Sequence, residues 1–531
     1  MARPVLELNQ LRLRYPKSKN WSLNGFDLRL DTGETLALVG SSGCGKSTVA
    51  RAIMQLLPQG TICEGGLELT GKDPRRLDRA ALRRLRGQAV GLVFQDPMTR
   101  LNPLMPAGAH ILDILKAHRP ATNPKWRKTR ALNLLERVGI STRRFRAYPH
   151  ELSGGMRQRL AIALAIALEP PLLIADEPTT SLDVAVASQM MAELSELCRE
   201  LGSALLLISH DLAMAARWCD RTVILSEGRR VEEGPSDQLL TRPRSSVGQR
   251  LVYSARTRER RRFYQQPKTQ VILSVDTMRC WHAVGGTPWS PAWFKAIDEV
   301  SFDLLVGESL GIVGASGCGK STLCRALIGL QTVRGGSVKL FGEDLLCLRG
   351  EKLRFVRRAI QMVFQDPLAC LNPAFNVTDA ITDPLLIHRL YSKAAAREQA
   401  RQLLKQVGLN PFKQFKDRFP RQLSGGQQQR VAIARALALK PKVLICDESV
   451  SMLDAEVQTE ILNLLKQLQQ NLGLSILFIT HDLSLASGFC HRVIVLDRGH
   501  IVEEGPGDRI FQAPQSKISR ALVEACPKLP H

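Results

Sequence analysis

GSSGCGKST at residues 40–48 and GASGCGKST at residues 314–322 are the stretches that decide the fold of this chain. Each follows a short apolar segment, TLALV at 35–39 and SLGIV at 309–313, and each precedes a helix-like stretch. Glycines let such a loop curl until several N–H groups point at one centre, which makes an anion-binding nest at a helix N-terminus. Two such loops after apolar strands argue against a chance Gly-rich turn and predict two phosphate-binding sites.

The side chains of these loops have distinct expected roles. Lys46 and Lys320 should reach phosphate oxygens, and the hydroxyls of Ser47 and Ser321 should bind Mg²⁺. The other loop residues are expected to surround the phosphates; they are Gly40, Ser41, Ser42, Gly43, Cys44, Gly45 and Thr48, with Gly314, Ala315, Ser316, Gly317, Cys318, Gly319 and Thr322 in the second loop.

A second motif consists of an apolar strand that ends in two acids. It occurs as PLLIADE at 171–177 and as KVLICDE at 442–448. Asp176 and Asp447 are placed to hold Mg²⁺, and Glu177 and Glu448 to polarise an attacking water as general bases. A strand ending in two acids is weak evidence alone, but its distance from each phosphate-binding loop favours the functional interpretation.

The whole motif set occurs twice, in the same order, with partners 270 to 274 residues apart. The pairs are Lys46 and Lys320, Gln95 and Gln365, Ser153 and Ser424, Glu177 and Glu448, and His210 and His481. Short apolar strands alternating with helical stretches predict a largely parallel α/β core in each half. We therefore predict one domain at 1–253, a basic linker at 254–270 and a second domain at 271–531.

The composition limits the partners of the chain. At 531 residues two or more domains are expected, and a net charge of +23 favours either nucleic acid or an anionic membrane surface, unless the basic surface is simply solvated. The arginine-rich linker leaves the same choice between a nucleic-acid arm and a segment that contacts lipid head groups.

Neither a membrane span nor a secretory signal is evident, so we expect a cytoplasmic location. The 12 cysteines lack metal-ligand spacing, and we expect reduced thiols.

The family is indicated by LSGGM at 152–156 and LSGGQ at 423–427, each about 20 residues before its acid pair. These resemble the signature of ATP-binding-cassette (ABC) ATPases, and the resemblance covers about 240 residues in each half. It implies ATP and Mg²⁺ as cofactors. It also implies an α/β fold with two P-loop NTPase domains, each a RecA-like α/β core with a β subdomain and a helical subdomain.

In that family each ATP lies between the phosphate-binding loop of one cassette and the signature of the other. By resemblance, Ser424 and Gly426 would cap the γ-phosphate held by Lys46. Ser153 and Gly155 would cap the γ-phosphate held on the other loop. A serine hydroxyl and backbone N–H groups at a helix N-terminus favour an anion, so this arrangement is physically reasonable.

Other positions also match the family. Gln95 and Gln365 resemble the glutamine that contacts Mg²⁺ or the attacking water and links hydrolysis to membrane subunits. His210 and His481 resemble the histidine that contacts the γ-phosphate. The remaining matches are Asp183 and Asp454, which would communicate between cassettes, and Tyr15, which would stack on adenine; the adenine position of the second half is either Trp281 or His282.

The sequence departs from the family pattern at two places. The first signature ends in Met156 rather than Gln or Glu, and Ser449 stands where the first half has Pro178. Neither change removes a charge or a phosphate ligand. The hypothesis is therefore that both sites hydrolyse ATP.

The stretches QDPMTRLNP at 95–103 and QDPLACLNP at 365–373 narrow the function further. They resemble the dipeptide, oligopeptide and nickel branch of importers, which implies an ATPase subunit working with two integral-membrane permease subunits and an extracytoplasmic solute-binding protein. Such a subunit would lie peripherally at the cytoplasmic face of the inner membrane, without a specific nucleic-acid partner. The alternative is a tandem-cassette ribosome-associated translation factor, but that class usually has a longer charged linker and lacks the LNP element.

Overall fold

A computed structural model describes residues 4–94, 100–179, 182–257, 267–287, 290–451 and 453–526. The chain divides into two compact units, and the change from one to the other falls between Arg256 and Thr257. Gln95 lies outside the described residues, as does the central part of the predicted linker, 258–266.

The first unit combines strands and helices in the alternating order expected from the sequence. Its strands are β1 (Pro4–Arg14), β2 (Leu23–Asp31), β3 (Thr35–Val39), β4 (Ile62–Leu69), β5 (Val90–Val93), β6 (Leu172–Asp176), β7 (Ala204–Ser209), β8 (Arg221–Ser226) and β9 (Arg229–Pro235). Its helices are α1 (Lys46–Ile53), α2 (Arg79–Gln88), α3 (Ala107–His118), α4 (Pro124–Arg137), α5 (Gly154–Ala165), α6 (Val184–Leu201), α7 (Leu212–Trp218), α8 (Ser236–Thr241) and α9 (Ser246–Thr257).

These strands form two sheets. The larger has the order β5-β6-β7-β3-β8-β9 and is parallel except for its last pair, whereas β2-β1-β4 is antiparallel. Because β6, β7 and β3 are neighbours and parallel, the segments that follow them meet at one edge of the sheet. This edge carries the phosphate-binding loop, the acid pair and His210.

The central strand β3 is apolar throughout because both of its faces are covered. Leu36 and Leu38 belong to a core shared with the antiparallel sheet and α1, whereas Ala37 and Val39 belong to a core shared with the helices. Successive side chains of a strand point to opposite faces, so a strand buried on both sides needs a continuous apolar run.

The second unit repeats this plan. Its strands are β10 (Val271–Thr287), β11 (Ser290–Leu305), β12 (Ser309–Val313), β13 (Gly335–Leu340), β14 (Glu343–Asp344), β15 (Ile360–Val363), β16 (Val443–Asp447), β17 (Ser475–Thr480), β18 (Arg492–Asp497) and β19 (His500–Pro506). Its helices are α10 (Lys320–Leu327), α11 (Gly350–Val356), α12 (Pro367–Cys370), α13 (Val377–Ile387), α14 (Lys393–Gln406), α15 (Phe412–Phe415), α16 (Gly425–Leu437), α17 (Ala455–Leu472), α18 (Leu483–Phe489), α19 (Gly507–Gln512) and α20 (Lys517–Ala525).

The sheet order of the second unit, β15-β16-β17-β12-β18-β19, matches that of the first, and a sheet of order β11-β10-β13-β14 accompanies it. The main difference is the hairpin of β10 and β11, which is much longer than the β1–β2 pair. The sequence had not indicated this extension.

Two further expectations concern membranes and cysteines. In the described part of the chain, none of the helices is long and apolar enough to cross a bilayer. All 12 cysteines lie in the described ranges, and none of them forms a disulfide bond there.

Candidate active site

The phosphate-binding loop of the first half requires glycine at two positions. A Cβ at Gly40 would lie 2.2 Å from the carbonyl oxygen of Leu225, and one at Gly45 would lie 2.6 Å from that of Ser22. Gly45 also has a φ of 112°, which glycine adopts at little steric cost. The second loop repeats this geometry, with close carbonyl oxygens at 2.2 Å for Gly314 and 2.3 Å for Gly319.

The lysine of each loop is buried, with its ammonium group held by the loop itself. Nζ of Lys46 donates to the carbonyl oxygens of Gly40, at 2.7 Å, and Ser41, at 2.9 Å. Nζ of Lys320 makes the corresponding two bonds at 2.8 and 3.0 Å. An ammonium group has three donors, so two carbonyl bonds leave a third donor that can turn to an anion in the loop. In Lys320 this donor faces Sγ of Cys318 at 4.0 Å and Oε1 of Glu448 at 3.8 Å.

A hydroxyl and a carboxylate meet beside each loop, as a magnesium site requires. Oγ of Ser47 lies 3.1 Å from Oδ1 of Asp176, and Oγ of Ser321 lies 3.4 Å from Oδ1 of Asp447. Burial raises the pKa of both aspartates, and the adjacent glutamates raise it further. A cation there would relieve this cost, and oxygen ligands are those that Mg²⁺ prefers. The residues present therefore fit the metal.

The acid that follows each aspartate is paired with the predicted histidine. Nδ1 of His210 lies 3.3 Å from Oε1 of Glu177, and Nδ1 of His481 lies 3.4 Å from Oε2 of Glu448. Both glutamates have left-handed backbones, with φ of 46° and 44°. Non-glycine residues rarely adopt this conformation, and it is concentrated at functional sites.

Glu448 is the centre of the second site. Its Oε2 accepts a hydrogen bond from Nε2 of Gln365 at 3.1 Å, and its Oε1 lies 3.8 Å from Nζ of Lys320. Burial alone would raise the pKa of Glu448, but the hydrogen bond and charge of His481 together with the charge of Lys320 lower it. The carboxylate is therefore ionised near neutral pH. Gln95, the counterpart of Gln365, lies outside the described residues.

The signature residues lie at the start of a helix in each half. The hydroxyl of Ser153 accepts from the backbone N–H of Met156 at 3.3 Å, and that of Ser424 accepts from the N–H of Gln427 at 3.4 Å. Only Gln427 returns a bond, to the N–H of Ser424 at 3.1 Å. Gly155 and Gly426 are the second residues of these helices and lie in the first turn. Capping by the two serines explains the local fold, and their phosphate contacts stay predictions.

The expected adenine positions differ between the halves. The hydroxyl of Tyr15, just after β1, lies 3.2 Å from Oγ1 of Thr48 in the loop. Trp281 and His282 instead lie within the long strand β10, where neighbouring side chains point to opposite faces. Nε1 of Trp281 donates to Asp298 at 3.2 Å. The adenine contact of Tyr15, and that of Trp281 or His282, stay predictions.

We expect the pair of His481 and Glu448 to stabilise the fold less as the pH rises. Burial alone would lower the pKa of His481, but the hydrogen bond and charge of Glu448 raise it. Such a histidine contributes stability that is complete below its unfolded pKa of about 6.5 and is lost as the pH passes its higher folded pKa. The melting temperature of His481→Gln should therefore lie furthest below that of the wild type near pH 6, and approach it as the pH rises through the folded pKa of His481. A difference that does not vary with pH would contradict this assignment.

Comparison with known proteins identifies the family. A model of the ABC transporter family matches residues 23–180 and 297–451, one stretch in each half. The chain belongs to this family. Both matched stretches span a phosphate-binding loop, a signature and an acid pair, so each half is one ABC cassette.

Three relatives span nearly the whole chain. The glutathione import ATP-binding protein GsiA of Pectobacterium atrosepticum is 36% identical, covering 98% of this chain and 89% of that protein. YejF of Escherichia coli, an uncharacterised ABC transporter ATP-binding protein, is 39% identical, covering 98% of this chain and 99% of that protein. YejF of Agrobacterium fabrum, a peptidoglycan transport ATP-binding protein, is 37% identical, covering 98% of this chain and 96% of that protein.

A solved structure of the ATP-binding cassette MJ0796, bound to ADP and phosphate, is 31% identical, with a TM-score of 0.40; it covers 44% of this chain and 98% of that one. From the family match and the full-length relatives, the predictions of an ATP-binding protein with two fused ABC cassettes and of an ATPase coupled to transport are confirmed. The translation-factor alternative is not favoured by these relatives.

Proposed function

We propose that this chain is the ATP-hydrolysing subunit of an importer for peptides or related small solutes. The names of two relatives support this substrate class. That of GsiA from Pectobacterium atrosepticum refers to glutathione import, and that of YejF from Agrobacterium fabrum refers to peptidoglycan transport. Nickel, which the sequence left open, has no such support. The proposed partners are two integral-membrane permease subunits and an extracytoplasmic solute-binding protein, with the chain at the cytoplasmic face of the inner membrane.

The observation that carries the proposal is the set of groups around Glu448. Its ionised carboxylate, with His481 and Gln365 in hydrogen-bonding reach, is arranged to accept a proton from an attacking water as general base. His481 orients the carboxylate, and Lys320 places positive charge beside the phosphates. Magnesium, when bound to Ser321 and Asp447, would neutralise charge on the phosphate oxygens. In the first cassette Glu177, His210, Lys46, Ser47 and Asp176 take the same roles.

We further propose that the two cassettes, at 1–253 and 271–531 with 254–270 as linker, share their ATP sites. Each signature serine and the second glycine after it would complete the site on the other cassette's loop. ATP would then stabilise a closed state, and hydrolysis would release it. The net charge of +23 would hold the chain at the anionic inner leaflet.

The closing movement of the two cassettes must be transmitted to the permeases, and we place this contact in the region next to Gln365. A cavity of about 270 Å³ lies here, between strand β15 and helices α13 and α16, and its lining includes Leu330, Met362 and Arg435. Leu330 is 63% exposed. An apolar rim around a basic side chain suits a helix of a permease with apolar and acidic residues.

The substitution Leu330→Glu is expected to abolish most import while leaving ATP hydrolysis by the isolated chain within about twofold. A carboxylate on the rim must be desolvated when the permease docks, which costs about 3 kcal/mol or more and therefore about 100-fold or more in affinity. Uptake of a labelled peptide by cells that carry the variant, and ATPase activity of the purified chain, measure the two effects.

The matched control is Leu472→Glu, because Leu472 is also exposed but ends helix α17 and does not line this cavity. It should import peptide at the wild-type rate. Normal import by Leu330→Glu would overturn the proposed docking site. Failure of the wild-type chain to support any peptide uptake would overturn the proposed substrate class.

A further inference from the structure

The loop between Glu448 and helix α17 carries the substitution of proline by Ser449. The loop begins with a turn in which the carbonyl oxygen of Glu448 accepts from the backbone N–H of Ser451 at 3.2 Å and from its hydroxyl at 2.7 Å. The conformation of this turn therefore bears directly on the backbone of Glu448, which has a φ of 44°.

Proline and serine constrain such a turn differently. In the first cassette Pro178 fixes its own φ and restricts the residue before it, Glu177. Ser449 imposes neither restriction. Its hydroxyl is buried and faces the thiol of Cys446, and it makes no hydrogen bond of normal geometry to any described residue. The serine side chain therefore does not replace the rigidity that proline supplies.

A different side chain holds the turn in the second cassette. Nε2 of Gln458, in the second turn of α17, donates to the carbonyl oxygen of Val450 at 3.1 Å. The same carbonyl accepts from the backbone N–H of Leu453 at 3.2 Å. Gln458 is only 5% exposed, so this bond is shielded from water.

Among the residues described in the first cassette, this bond has no equivalent. The carbonyl oxygen of Thr179 accepts from the N–H of Leu182 at 3.0 Å, which matches the bond between Val450 and Leu453. The position that corresponds to Gln458 is Ala187, 271 residues earlier, and alanine has no donor. One cassette thus has the proline without the glutamine, and the other has the glutamine without the proline.

Gln458 is a poor choice for stability alone. Its Oε1 is buried and has no partner among the described residues, and an unsatisfied buried amide oxygen destabilises a fold. Ala187 shows that an apolar residue fits the corresponding position. Gln458 lowers the stability of the fold, yet it fixes the turn next to Glu448. Its effect on the position of Glu448 best explains why a glutamine stands there.

We propose that Gln458 is a positioning residue for Glu448, which does in the second cassette what Pro178 does in the first. The inference rests on the proposed role of Glu448 as general base. It predicts that the donor of Gln458 matters for turnover and that a proline at position 449 makes it dispensable.

The test compares Gln458→Met, Ser449→Pro and the double variant in the full-length chain. Methionine keeps the volume of glutamine without its donor. In a chain whose first cassette is silenced by Glu177→Gln, we expect Gln458→Met to lower kcat for ATP about 10-fold with KM nearly unchanged, because a displaced base costs rate rather than binding. Ser449→Pro alone should stay within about twofold of the wild type and should restore kcat in the double variant.

Gln469→Met is the matched control. Gln469 lies in the same helix, is similarly buried and makes the same kind of bond, from Nε2 to the carbonyl oxygen of Gly307 at 2.9 Å, but lies about three turns away. Melting temperatures check that both methionine variants fold, and only Gln458→Met should lower kcat. Equal kcat for the two variants, or a double variant no faster than Gln458→Met, would overturn the positioning role.

Failure of the proposed function would look different. If Glu448 is not the general base, Glu448→Gln would hydrolyse ATP like the wild type, whatever the result for Gln458→Met. If Glu448→Gln loses its share of turnover and Gln458→Met does not, the function stands and only the positioning role fails.

Discussion

The double variant Glu177→Gln with Glu448→Gln is expected to hydrolyse ATP about 100- to 10,000-fold more slowly than the wild type, which is the usual contribution of a general base. Glutamine keeps the shape of glutamate and can still hydrogen-bond to His210 or His481. It cannot accept a proton from water. ATP binding should therefore persist, and steady-state phosphate release measures the loss.

The single variants test whether both cassettes are active. Each of Glu177→Gln and Glu448→Gln should reduce turnover by at least about half, because the same acid and histidine pair occurs in both cassettes and each base supplies a comparable rate. Glu343→Gln, an exposed position on β14, is the control and should be unchanged. If one single variant kept full turnover, its cassette would not contribute to hydrolysis.

The second large effect is expected from the lysines of the phosphate-binding loops. Lys320→Met should weaken ATP binding to the second cassette at least about 30-fold, since truncating one partner of a buried charge pair costs several kcal/mol. The substitution also leaves the carbonyl oxygens of Gly314 and Ala315 without their donor. Lys46→Met should have the same effect on the first cassette.

The measurement is the number of labelled ATP molecules bound per purified chain. It should fall from two to one in Lys320→Met and likewise in Lys46→Met. Lys339→Met is the control, because Lys339 lies exposed on β13 of the same cassette and should leave both sites intact. Two sites of unchanged affinity in Lys320→Met would contradict the assignment of its ammonium group to a phosphate.

The phosphate-binding loops and acid pairs could be predicted from sequence because short-range requirements dictate them. Gly40 and Gly45 are needed where a Cβ would strike a backbone carbonyl, and the apolar run of β3 is needed where both sheet faces are buried. Such requirements appear in the sequence as fixed residue types at fixed spacing. The fold of each half could therefore be predicted, and so could the meeting of its motifs at one edge of the sheet.

Other features depend on tertiary pairing that the sequence does not display. The choice between Trp281 and His282 turns on the face of a strand, and the pairing of β10 with β11 shifts register several times along its length. The bond from Gln458 to Val450 depends on how α17 packs against the preceding loop. Neither could be derived from residue type and spacing.

The number of ATP molecules that one chain holds tests the central claim most directly. The double variant Glu177→Gln with Glu448→Gln, saturated with labelled ATP, should retain two ATP per chain while the chain remains a monomer, since both cassettes lie on one polypeptide. One ATP per chain, or two ATP held only when chains dimerise, would contradict the proposal that the two cassettes form one ATP-driven unit.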